Sequence, residues 1–147
     1  MDVAYRGGVV VAVVPDKYRG TKDYRLVRDE MIRAARNETT ITYGVIAEIM
    51  GLPPTGHHMG KEVGQMSGEI SEAEHIQGRP MLSAVAISAP KRMPGSGFFD
   101  LARSFGKLQD TSRQAERRFW KEEKTAVYAV WQVEATHEEG VTSSDDN

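Results

Sequence analysis

A chain of 147 residues, 39% hydrophobic and 27% charged, has the size and composition of one globular domain that buries a core without covalent staples. It contains no cysteine, which excludes disulfides, thiolate nucleophiles and cysteine-ligated zinc. The formal net charge of −2 conceals an uneven spread: residues 134–147 carry five acidic side chains and no Lys or Arg, and the rest holds 19 basic against 16 acidic residues. A mildly basic body with an acidic tail suits a polyanion partner, and equally a solvated surface with a frayed terminus.

The first element is the apolar run Gly8–Val14, closed by Pro15 and Asp16 and read as a buried strand. It is too short to span a bilayer and lacks the flanks of a signal peptide, so a cytoplasmic protein without a membrane partner is expected. Asp23 is placed to cap a helix to about Arg36, with Tyr24, Val27, Met31 and Ala34 at three- and four-residue spacing. Thr42 is placed to cap a second, short helix carrying Val45, Ile46, Ile49 and Met50, with Tyr43 packed between the first and third helices. Gly51 supplies the left-handed end, and Pro53-Pro54 forbid continuation.

A third helix is expected from about His57 to Ile70, carrying Met59, Val63, Met66 and Ile70. Ser71 and Glu74 have capping-box spacing, which predicts a brief second helical entry before Gly78. Met81–Ile87 reads as a strand buried on both faces, and Pro94–Gly97 as a turn. Phe98, Leu101, Ala102 and Phe105 mark a short helix. The last helix runs from about Thr111 to Trp131, with Phe119, Trp120, Val127, Val130 and Trp131 as its apolar stripe.

Three successive helices, the second short and tightly joined to the third, form a helix-turn-helix arrangement, which presents its third helix to DNA. Thr42-Tyr43-Gly44-Val45-Ile46-Ala47, Gly51-Leu52-Pro53 and Val63-Gly64 resemble the winged-helix DNA-binding half of DNA alkyltransferases and alkyltransferase-like proteins, over residues 25–70 or so. The exposed positions that this arrangement would present include Thr55, His57, His58, Lys61 and Gln65, and with Thr42 and Tyr43 they form the expected DNA-contact set. Lys61 stands where that family carries its minor-groove arginine, two residues before the valine-glycine pair, and keeps the charge without the guanidinium fork. The family's proline-cysteine-histidine-arginine motif has its nearest counterpart in Pro80-Met81-Leu82-Ser83, which offers no thiolate. Cysteine-dependent alkyl transfer is excluded, and DNA binding without chemistry is what the resemblance implies. A second likeness, of Gly78–Val85 and Met93–Phe99 to a family of small bacterial and phage proteins, implies a shared fold and no activity.

Three other patterns bear on function. Gly60, Gly64 and Gly68 form a bare stripe, which suits close approach by a neighbouring element or a nucleic-acid backbone. His57, His58, Glu62, Glu69, Glu72, Glu74 and His75 contain the metal-ligand types, with His58 and Glu62 on one helix face, but no spacing identifies a third ligand. A solvated acidic face is the simpler expectation there. Arg113, Arg117, Arg118, Lys121 and Lys124 alternate with Phe119 and Trp120, which suits either single-stranded nucleic acid or a helix with buried aromatics.

The expected fold is α+β: a winged-helix or helix-turn-helix-like helical core with a small sheet and a long C-terminal helix. Residues 1–133 form one domain and 134–147 an acidic, disordered tail. The leading expectation is a non-enzymatic DNA-binding protein without cofactor or metal, its third helix the contact element. The alternatives are a phage-type regulator that binds and inhibits a host or defence protein, and a metal-dependent hydrolase. The oligomeric state is left open.

Overall fold

The structure, a computed structural model, describes the backbone of residues 4–6, 9–11 and 14–145 and the side chains of 14–132. Two short strands, β1 (Ala4–Arg6) and β2 (Val9–Val11), pair antiparallel, with Tyr5 opposite Val10. The single strand expected over Gly8–Val14 is therefore half of a hairpin, and the burial expected of its side chains lies outside the described residues except at Val14, which is half-buried.

Helix α1 (Lys22–Arg36) begins where the Thr21 hydroxyl accepts the N–H of Tyr24 at 3.2 Å. Asp23, the expected cap, lies inside the first turn, where its charge still complements the helix dipole. The apolar face of α1 buries Val27, Met31, Ile32, Ala34 and Ala35. The chain then forms β3 (Ile41–Thr42) and α2 (Tyr43–Ile49), and the Thr42 hydroxyl caps α2 by accepting the N–H of Val45 at 3.3 Å, as expected. Gly51 ends this helix at φ 70°, a conformation that glycine adopts without steric cost.

Helix α3 (His57–Ile76) runs unbroken through the position of the expected second entry. Ser71 caps nothing. Its hydroxyl lies 2.6 Å from that of Ser83 and accepts the Ser83 N–H at 2.9 Å, and burial of both serines makes that pairing obligatory. The buried segment Met81–Ile87 is not a continuous strand either: Leu82–Val85 form a 3-10 turn, and only β4 (Ala86–Ile87) is extended, pairing parallel with β3. Its residues are all buried, so hydrophobicity on every face was real, but it is the seam of a helical core.

Helix α4 (Ser96–Ser104) and the long α5 (Arg113–Asp145) complete the fold. Trp120 of α5 is buried and donates its indole N–H to the Ala84 carbonyl at 2.8 Å, so it belongs to the core. Glu123, also buried, accepts the Met81 N–H at 2.9 Å and pairs with Lys107, which ties α5 to the same central segment. The α5 backbone continues to Asp145, and the side chains of the acidic segment lie outside the described residues. Among the described residues the result is a mostly helical α+β fold, with five α-helices, the N-terminal hairpin and a two-stranded parallel sheet. Among the described residues no helix is long and apolar enough to cross a membrane.

Candidate nucleic-acid interface

Helix α3 has two unlike faces. Along one, Glu62, Gln65, Glu69 and Glu72 stand three or four residues apart and so share a row. The expected solvated acidic face is absent: Glu62 is 5% exposed, Glu69 0%, and Glu72 and Glu74 1% each. Isolated buried carboxylates would be too costly to keep ionised, so partners must lie close by. They come from the segment that follows the N-terminal hairpin.

Glu69 accepts the backbone N–H groups of Lys17, Tyr18 and Arg19 at 3.1, 2.9 and 3.0 Å. Glu72 accepts the N–H of Val14 at 2.9 Å and pairs with the Arg19 guanidinium. Glu62 pairs with Lys17 at 2.5 Å and takes the Tyr18 hydroxyl. At the far end of α3, Glu74 binds Arg28 of α1 and Arg79, whose guanidinium groups lie 5.6 and 6.0 Å from the Trp131 ring centroid. Residues 14–19 are thus strapped to α3 by three carboxylates.

These contacts set the titration of the row. The Lys17 ammonium and then the Tyr18 hydroxyl hold the Glu62 carboxyl below its ordinary value. Burial pushes Glu69 upward, but the Gln65 amide and the three backbone N–H groups outweigh it, and the net direction is down. Tyr18 is pushed up to about 12, by burial first and by its bond to Glu62 second.

Gln65 belongs to this row, contrary to its expected place on an exposed recognition surface. It is half-buried, and its amide donates to the Pro15 carbonyl at 2.6 Å and to Glu69 at 2.8 Å. Thr42 is engaged as the α2 cap. Tyr43, expected between the first and third helices, sends its hydroxyl to the turn before α4, where it accepts the Gly95 N–H at 2.6 Å. Burial pushes its pKa up.

The other expected contact residues are open. Thr55, His57, His58 and Lys61 are all exposed around the start of α3. That start is uncapped: Gly56 supplies no side chain, and the first turn holds no acidic residue. Lys61 makes no ion pair among the described residues. A Cβ placed on Gly60 or Gly64 would meet nothing within 4 Å, whereas one on Gly68 would touch Val14 at 3.7 Å. The glycine stripe therefore accommodates the strap at one end and faces open space at the other. The open part lines a pocket of about 490 Å³, closed opposite by Tyr43, Gly95, Ser96 and Phe98.

Among the described residues no three His, Asp or Glu side chains group as ligands, and the Glu62 carboxylate is engaged by Lys17 and Tyr18. The row of carboxylates escapes sequence reasoning because glutamate at helical spacing ordinarily marks solvent. The only sequence signal was the cations that match it, Lys17 and Arg19, about fifty residues upstream. No family model, curated protein or solved structure matches this chain.

Proposed function

We propose that this chain is a non-enzymatic DNA-binding protein of winged-helix type that offers the start of α3 to the duplex. One observation carries the reading: the start of α3 is exposed, uncapped and free of acid, with His57, His58 and Lys61 around it. Four unsatisfied N–H groups and the positive end of the helix dipole make such a terminus a place for a phosphate. The bare surface over Gly60 and Gly64 lets a backbone come close. The carboxylate row points away from solvent, so its negative charge is neutralised within the fold and does not repel the ligand. Thr55, His57, His58 and Lys61 are the contact set, and Gln65, Thr42 and Tyr43 position it.

Lys61→Ala tests this reading. One lost phosphate contact should weaken duplex binding and lower the salt slope by roughly one unit. Stability should stay within about 0.5 kcal/mol of the parent, since the side chain is exposed and unpaired. Fluorescence anisotropy at two salt concentrations reads both quantities. Wild-type affinity for Lys61→Ala at low and high salt would overturn the third helix as the contact element. Loss of a stoichiometric protein partner with unchanged DNA binding would favour the regulator reading instead.

A further inference from the structure

We infer that the first turns of α5 form a second contact for the phosphate backbone of duplex DNA, an inference that rests on the DNA-binding reading above. Arg113, Arg117, Arg118 and Lys121 are all exposed, and none makes an ion pair among the described residues. The single acidic residue of the first turn, Glu116, lines the cleft beside Arg113 and Arg117 but is neutralised by Arg103 at 2.6 Å. Arg113 and Arg117, and Arg117 and Lys121, stand four residues apart, so like charges sit next to one another on the helix surface. Arg113 also sits in the first turn, where the helix dipole disfavours a cation. Both effects destabilise α5 in the isolated chain, and a line of phosphates would relieve both.

The shape of the surface agrees with the charge. Arg113 and Arg117 line two adjoining clefts of about 520 and 430 Å³. The second runs on to Arg118 and Lys121. The first takes in Lys91 and reaches Gly95 and Ser96, which also wall the pocket over the α3 glycines. The turn at Gly95 and Ser96 thus lies between the pocket over the α3 glycines and the basic clefts of α5. The α5 portion covers about 12 Å of helix axis, enough to face several phosphates of a duplex that carries one charge per about 1.7 Å. Arginine predominates, and its planar fork suits bidentate binding of phosphate. A stacking mode for single strands lacks a free aromatic, because Trp120 is buried against Ala84 and the half-buried Phe119 packs against Phe98.

The test uses the full chain and a duplex of about 24 base pairs, long enough to reach both helices, with anisotropy followed across salt. Arg113→Gln, Arg117→Gln, Arg118→Gln and Lys121→Gln combined should lower the salt slope by about three to four units, and Arg113→Gln with Arg117→Gln by about two. The combined variant should also unfold at or above the wild-type temperature at low salt, since it removes repulsion and no packed contact. Wild-type affinity and slope in the combined variant overturn the α5 contact, while a loss in Lys61→Ala in the same series keeps α3. The reverse pattern, loss in the α5 variant alone, supports the α5 contact and overturns the α3 reading. Absence of salt-sensitive duplex binding by the wild type overturns both, and a combined variant that melts well below wild type overturns the repulsion argument.

Discussion

Glu69 shows how one side chain can organise a distant segment. Its carboxylate has one cationic neighbour, Arg19 with Nε 3.9 Å away, and it is satisfied mainly by three consecutive backbone N–H groups and the Gln65 amide. Such a nest binds an anion by aligned amide dipoles and needs no charge partner. Glu69→Ala should therefore cost about 1–3 kcal/mol, the penalty of leaving buried donors unmet, and should release residues 14–19 to faster hydrogen exchange. Urea unfolding and exchange mass spectrometry check the two parts separately. Unchanged exchange at Lys17–Arg19 would show that the strap is held by other contacts. The sequence predicts a solvent-facing Gln65, and the Pro15 carbonyl and Glu69 carboxylate beside it explain why it is half-buried.

At the scale of elements, the helices were readable because their signals are local. The Thr42 cap lies three residues from the N–H that it satisfies, and the Gly51 stop needs only the preceding turn. Thr42→Ala should accordingly cost about 0.5–2 kcal/mol in chemical denaturation, and no change would show that β3 pairing alone holds the start of α2. Helix α3 makes the opposite prediction. Gly64 lies mid-helix with open space before it, so Gly64→Ala should stabilise the fold by about 0.5–1 kcal/mol. The same substitution should weaken DNA binding if a backbone approaches that surface. A stabilised variant with undiminished binding would leave the bare stripe without a ligand. The expected break at Ser71 and the expected long strand at Met81–Ile87 failed together. Each depends on the other across the core, through the Ser71–Ser83 pair, whose partners belong to different elements and meet only when the chain folds back.

For the whole molecule, the buried row links stability to pH. Glu62 and Glu69 have folded-state pKa values below the ordinary one, so their stabilisation is complete above the unfolded value. It declines as pH falls below about 4.3, the ordinary glutamate value, and continues to decline toward the depressed folded values. Thermal unfolding followed from pH 6 to pH 3 should show this loss, with residues 14–19 exchanging faster before the core opens. Glu69→Gln should flatten the dependence because it removes one of the linked titrations. A slope in Glu69→Gln as steep as in wild type would assign the acid sensitivity to other groups.

The sequence by itself determined the helical content, the caps and stops of α2, the absence of thiol chemistry, and which residues of α3 face solvent at its start. Those properties follow from propensity, hydrogen bonds over three or four residues, and composition, all of which act over short stretches of chain. Only the tertiary structure decided that four glutamates of α3 lie inside, that Gln65 serves a strap, and that Trp120 is core while its arginine neighbours are exposed. A charge can be buried only where counter-charges or amides arrive from elsewhere, and for Glu62, Glu69 and Glu72 they arrive from a segment about fifty residues away.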